Sequence, residues 1–203
     1  MKRSFSDLSL KEYSDILGSP EPAPGGGSAA AYVGVLGASL GEMVANLNAK
    51  KSKNPDAAQC RERAAHLKKI RARFLDLVTE DARAFEKVSA LWKTPSPELQ
   101  RALREAALVP MGICEAAYEA LTVASRETPW TSKHLLSDLA ECGLFLIAAF
   151  KGGRFNVEIN LREIQDADFT AFHRARLDRL ARQVLLYGNR LEETFALDGG
   201  GKS

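Results

Sequence analysis

The chain has 203 residues, the size of one domain or two small ones. Its 45% hydrophobic and 27% charged residues are the proportions of a globular protein rather than a disordered one. A formal charge of +2, from 28 Lys and Arg against 26 Asp and Glu, lacks the basic excess of a dedicated nucleic-acid binder, so no nucleic-acid partner is expected.

The first seven residues include Lys2 and Arg3 but no apolar run follows them, so no signal peptide is expected. Residues 22–41 carry no charge, yet the stretch opens with Pro and Gly and continues with small side chains, which argues against a membrane-spanning helix. Cys60, Cys114 and Cys142 are odd in number and widely spaced. They fit neither a disulfide framework nor a paired-cysteine metal site, and a reducing cytoplasm is the expected location. His66, His134 and His173 are equally scattered, so no metal site is expected.

In chain order, Ser6 or Asp7 is the expected cap of a short first helix whose apolar face is Leu8, Leu10, Tyr13, Ile16 and Leu17. The breakers from Gly18 to Gly27 predict a loop, and Ser28 then reads as the cap of a second helix ending near Lys50. That helix is crowded with glycine and alanine. Each Gly costs about 1 kcal/mol of helix propensity relative to Ala, a cost offset where a neighbouring backbone must come close, so this is predicted to be the central helix.

Residues 56–92 show the clearest helical period, with Cys60, Ala64, Leu67, Arg71, Phe74, Val78, Asp81, Phe85, Val88 and Trp92 on one face. The pattern resumes after Pro97 and runs to about Arg126, with a kink expected at Pro110. A fifth segment is predicted from Ser132 or Lys133 and a sixth over residues 168–194, with residues 198–203 as a disordered tail. Phe155, Val157, Ile159 and Leu161 alternate with polar residues as in a strand. A lone strand in a helical chain has no partner, so a helical turn is the preferred reading. The prediction is one all-α domain of five or six long, mostly antiparallel helices that self-associates.

Asp81 falls on the apolar stripe of its helix. It is either a carboxylate at a helix edge, paired with a base such as Arg71, or one held in a partly dry pocket where desolvation raises its pKa. Asp138, Cys142, Phe145, Ala149, Asn156 and Asn160 share a face if their helix continues through Gly152 and Gly153. From spacing alone, however, Asp138 reads as a favourable charge at a helix N-terminus. The Gly25-Gly26-Gly27-Ser28 turn leads into a helix N-terminus, a place that favours anions, but lacks the Lys of a P-loop. Residues 50–73 hold nine positive and two negative side chains, either a solvated face or an attractor of a polyanionic small ligand.

In order, Pro24-Gly25-Gly26-Gly27-Ser28, Met43-Val44-Ala45-Asn46-Leu47, Glu80-Asp81-Ala82-Arg83-Ala84-Phe85, Ser137-Asp138, Asn156-Val157-Glu158-Ile159-Asn160-Leu161 and Ile164-Gln165-Asp166 resemble the cyclodeaminase/cyclohydrolase family of folate one-carbon enzymes. The resemblance spans nearly the whole chain. It implies an all-helical fold, a dimer or larger homo-oligomer, and a tetrahydrofolate derivative bound near subunit contacts. It also supports helix over residues 156–161. Two places depart from the family pattern: residues 127–134 stand where the family carries a Gly-Asn step and an aliphatic run, and Asn48-Ala49-Lys50-Lys51-Ser52-Lys53 replaces a Thr-x-Gly-Lys-Lys ending.

The implied activity is formiminotetrahydrofolate cyclodeaminase or 5,10-methenyltetrahydrofolate cyclohydrolase. Each passes through a tetrahedral carbon between two nitrogens, and each needs proton transfer but no metal and no redox cofactor beyond the folate itself. On the resemblance, Asp81 and Asp138 are the expected acid/base pair and Asn156 and Asn160 orient the pterin or the intermediate. Lys51 attracts the glutamyl carboxylates, and Gly25, Gly26, Gly27 and Ser28 complete the binding turn. The alternatives are a helical oligomeric scaffold that kept the fold and lost the site, favoured by the altered residues 127–134, and a related small-molecule hydrolase using the same pocket.

Overall fold

The computed structural model describes residues 4–199. Its helices are α1 (Leu10–Leu17), α2 (Gly26–Ala49), α3 (Ala57–Leu91), α4 (Pro97–Ala124), α5 (Leu136–Glu163) and α6 (Ala167–Gly199). Short 3-10 turns cover Phe5–Asp7, Ser125–Trp130 and Lys133–Leu135, and there is no strand among the described residues. The all-α expectation therefore holds.

Local chemistry sets the boundaries, sometimes away from the predicted place. Ser6 and Asp7 form a separate 3-10 turn, and α1 is capped instead by Ser9. The Ser9 hydroxyl accepts from the Glu12 N–H at 3.2 Å while the Ser9 N–H donates to Glu12 Oε2 at 2.7 Å, a reciprocal capping box. At α4, Ser96 accepts from the Leu99 N–H at 3.1 Å and Pro97 occupies the first turn, where its missing N–H costs nothing. Pro110 lies inside α4, which continues to Ala124. The alternating residues 155–161 are helical, within α5. The predicted tail begins inside α6, and residues 200–203 lie outside the described part.

α2 is the central helix, and its glycines show why. A Cβ on Gly34 would lie 2.4 Å from the Phe74 ring of α3, and one on Gly37 would lie 2.8 Å from Leu146 of α5. Ala in either place would collide with buried side chains that have no room to move. Large buried side chains from α3 (Leu67, Phe74, Leu77), α4 (Ile113, Leu121) and α5 (Leu146) fill the space around it.

The α2–α5 contacts also fix a register. Gly26 lies beside Asn156, Gly37 beside Leu146 and Gly41 beside Cys142, so the two helices run antiparallel. α2 and residues 97–130 are long and apolar enough to cross a membrane by composition, but more than half of each apolar stretch is buried inside the bundle. All three cysteines are buried and unpaired.

Candidate active site

The start of α2 differs from the predicted one in a way that builds the site. The helix begins at Gly26 with Gly25 as its cap, so Ser28 sits inside the first turn. Its side chain points into the bundle instead of back onto its own helix. The Ser28 N–H donates to Asp81 Oδ2 at 2.8 Å, and the Ser28 hydroxyl lies 2.8 Å from the Val78 carbonyl and 3.1 Å from the same Oδ2. Asp81 thus takes an orphan amide donor at a helix N-terminus, the place where a carboxylate is favoured. Its expected alternative partner, Arg71, is engaged by Glu42 at 2.8 Å.

Both hydrogen bonds fall on Oδ2 and leave Oδ1 for a ligand. Burial pushes the Asp81 carboxyl above the ordinary carboxylate value, and the Ser28 hydroxyl and amide pull it back only in part. A raised pKa brings a carboxyl group closer to the range where it can both take and return a proton.

Asp81 opens into a cavity of about 290 Å³. Gly25, Gly26 and Gly27 form one wall, Asn156 and Asn160 another, and Ala82, Phe85, Val88 and Ile159 supply apolar surface. Asn156 donates to the Gly152 carbonyl at 2.9 Å, and Asn160 donates to the carbonyls of Asn156 at 2.9 Å and Ala106 at 3.3 Å. Their amide nitrogens are tied to backbone, which fixes both side chains for recognition.

Gly27 is a requirement of this geometry, since a Cβ there would fall 2.1 Å from Asp81 Oδ1. Gly27→Ala is expected to push the carboxylate off Ser28 and to lower turnover by about 10²-fold, the scale of a 1 Å misplacement. A steady-state assay checks this, and parental turnover would contradict it.

A wider groove of about 940 Å³ lies between Trp92, Gln100, Arg101, Arg104 and the start of α6. Its arginines are already paired, Arg101 with Glu98 and Arg104 with Asp166, and Gln100 bonds the 163–165 backbone. Nothing in it is poised as Asp81 is.

Two expected members are absent from the Asp81 cleft within one chain. Continuing the α2–α5 register places Asp138 level with Ala45, about 25 Å along α2 from Ser28 at 1.5 Å per residue. Asp138 and Asp81 therefore do not form a pair in one chain, because their helices carry them to opposite ends of the bundle. Lys51 follows the end of α2, and its ammonium donates to the Trp130 carbonyl. Gly25, Gly26, Gly27, Ser28, Asp81, Asn156 and Asn160 come together; Lys51 and Asp138 do not.

At that far end lies a buried polar cluster that sequence reasoning missed. Glu127 is 0% exposed and accepts from Arg63 Nε at 2.5 Å and from Asn48 Nδ2 at 2.8 Å. Asn48 also reaches Thr131 Oγ1 at 3.1 Å. Residues 48–53 and 127–134 are bonded to each other here, through Asn48 to Glu127 and Thr131 and through Lys51 to the Trp130 carbonyl. Among the described residues no group of three or more metal-ligating side chains occurs.

This architecture has known counterparts. The formiminotransferase-cyclodeaminase family profile matches residues 9–179. A methenyltetrahydrofolate cyclohydrolase of Methylorubrum extorquens is 27% identical over 91% of this chain and 94% of its own. Rat formimidoyltransferase-cyclodeaminase is 30% identical over 90% of this chain, which spans only 36% of that longer protein. The crystal structure of formiminotetrahydrofolate cyclodeaminase from Thermotoga maritima superposes with a TM-score of 0.90 at 32% identity, covering 94% of this chain and 96% of that one. A match over most of the chain in sequence and in backbone leads to one assignment: the chain belongs to the formiminotransferase-cyclodeaminase family.

Proposed function

We propose that the protein is a folate one-carbon enzyme acting at the carbon that bridges N5 and N10, as a formiminotetrahydrofolate cyclodeaminase or a 5,10-methenyltetrahydrofolate cyclohydrolase. The observation that carries this reading is a half-buried carboxylate with one oxygen fixed by Ser28 and the other open to a cavity walled by two fixed carboxamides.

In the deaminating direction N10 attacks the formimino carbon on N5. Asp81 Oδ1 accepts the N10 proton, the tetrahedral carbon collapses, and ammonia leaves with a proton returned by Asp81. In the hydrolytic reaction Asp81 takes a proton from the water that attacks the methenyl carbon and returns it to the nitrogen whose bond to carbon breaks, while the second water proton is released to solvent as the formyl C=O forms. One carboxyl group can serve both steps because the proton removed in the first is the proton needed in the second. Asn156 and Asn160 hold the pterin by its hydrogen-bonding edge, and Phe85, Val88 and Ile159 cover its flat face. Carbon–nitrogen and carbon–oxygen bonds form and break with proton transfer and no change of oxidation state, so this chemistry calls for no metal or redox cofactor.

The proposed assembly is a homodimer through α2. Leu36, Met43 and Leu47 are exposed on that helix, with Val33 and Leu40 half-exposed between and beside them, and they follow helical spacing. A second copy packed antiparallel about Leu40 would cover the stripe symmetrically. It would bring the end bearing Lys51 and Asp138 toward the other copy's Gly25–Ser28 turn, where Lys51 could meet the glutamyl carboxylates. Met43→Glu is expected to leave a monomer in sedimentation velocity. A parent protein that is monomeric at tens of micromolar would refute the pairing.

The deciding experiment measures two reactions with purified protein: loss of methenyltetrahydrofolate absorbance, and ammonia release from formiminotetrahydrofolate. Turnover of either supports the reading and identifies the reaction. The scaffold alternative forecasts neither turnover nor stabilisation of the fold by folate.

A further inference from the structure

Tyr13 is the buried residue of α1, 6% exposed, and its hydroxyl has no hydrogen-bond partner. A buried phenol is ordinarily satisfied, because leaving the hydroxyl unpaired costs the whole of its desolvation. The ring packs on Tyr32 with centroids 5.2 Å apart. Tyr32 is four residues after Ser28, so both lie on the same face of α2, one turn apart. Tyr13 is therefore seated beside the residue that holds Asp81. Burial first, then the charge of Asp81 and that of Tyr32, push the Tyr13 hydroxyl up to about 12, so it stays protonated and acts as a donor at neutral pH.

We propose that Tyr13 is a positioning residue for Asp81: its hydroxyl donates toward the carboxylate through one bridging water and favours the ionised form that accepts a proton from substrate. In this arrangement α1 is part of the active site, tying the segment before the Gly25–Gly27 turn to the catalytic carboxylate. The other groups around Asp81 do not titrate in the working range: Ser28 of α2, Ala106 of α4, and Asn156 and Asn160 of α5. On α3 itself, Glu80 is held by Arg73 at 2.6 Å. Tyr13 is thus a buried, unpartnered donor placed to tune Asp81 beyond Ser28.

The role in turnover rests on the proposed function, but the interaction can be tested without it. Asp81 is titrated by carboxyl carbon NMR in the parent and in Tyr13→Phe, with Asp81→Asn identifying the resonance. The Phe ring keeps the contact with Tyr32, and a helical circular-dichroism spectrum with cooperative melting checks the fold. Removing a donor from the charged form raises the carboxyl pKa, so an upward shift of about one pH unit is expected. Site-specific fluorination of Tyr13 makes the phenol a stronger donor, keeps the packing, and should shift Asp81 downward. If folate turnover is found, the acid limb of kcat/KM follows the same order. Asp81 titrations that coincide in parent and Tyr13→Phe would overturn the proposal, as would a fall in kcat with no movement of the acid limb. Absence of folate turnover would refute the proposed function and leave the NMR comparison standing.

Discussion

Asp81→Asn is expected to lower turnover by about 10²- to 10⁴-fold, the usual contribution of a positioned acid/base group, while raising thermal stability at neutral pH. The two effects share one cause. Asn keeps an oxygen that can accept both Ser28 hydrogen bonds, but it can neither take nor return a proton. In the parent, burial lifts the Asp81 carboxyl above its ordinary 3.8. The folded chain then binds that proton more tightly than the unfolded chain, so stability falls as pH rises from the unfolded value through the folded one. Above the folded value the whole of that cost is present; below about pH 4 it is gone. Asn removes it, and a gain of about 2–4 °C in Tm is expected for each kcal/mol recovered in a chain of this size. Calorimetry at pH 7 and pH 4 with a parallel assay checks both halves. Parental turnover would remove Asp81 from the mechanism, and a Tm advantage that grows on acidification would reverse the electrostatic argument.

The same residues show what can be read from the chain and what cannot. The period of α3 exposes Asp81 on an otherwise apolar stripe, because one-dimensional spacing reports which face a side chain occupies. It does not report how far along the bundle two helices meet. Asp138 shares a face with Asn156 and Asn160, yet about five turns separate it from them, and the α2–α5 register decides which end reaches the cleft.

The strand-like run from Phe155 to Leu161 has a different origin. Val157 and Leu161 are one buried stripe of α5, four residues apart, while Phe155 and Ile159 are a second stripe facing outward, 69% and 60% exposed. Two helical stripes offset by two residues imitate strand alternation. Ser28 resembles a cap in sequence because the space that lets α2 begin three residues earlier is defined by Asp81, fifty-three residues away. Glu127 gives no signal of its own: its partners Asn48 and Arg63 come from two other helices.

That far cluster carries the largest expected loss of stability. Arg63→Met should destabilise the fold by about 3–5 kcal/mol, the cost of removing one member of a buried ion pair. Glu127 has no access to solvent, and after the change it would keep the Asn48 amide and the weak Cys60 thiol as side-chain donors, neither of them charged. Arg63 is itself largely buried. Burial works against its charge, and the hydrogen bond and charge of Glu127 outweigh that and raise its pKa. The pair is therefore mutually dependent, and its loss should be cured by removing the stranded charge. In the double variant Arg63→Met with Glu127→Gln, the carboxamide oxygen still accepts from Asn48 and no uncompensated charge is buried, so most of the stability should return. Urea denaturation of the parent, both single variants and the double variant closes the cycle. If Arg63→Met costs as much in the Glu127→Gln background as in the parent, lost packing of the arginine stem is responsible, and the ion pair is not what fastens residues 125–131 to α3.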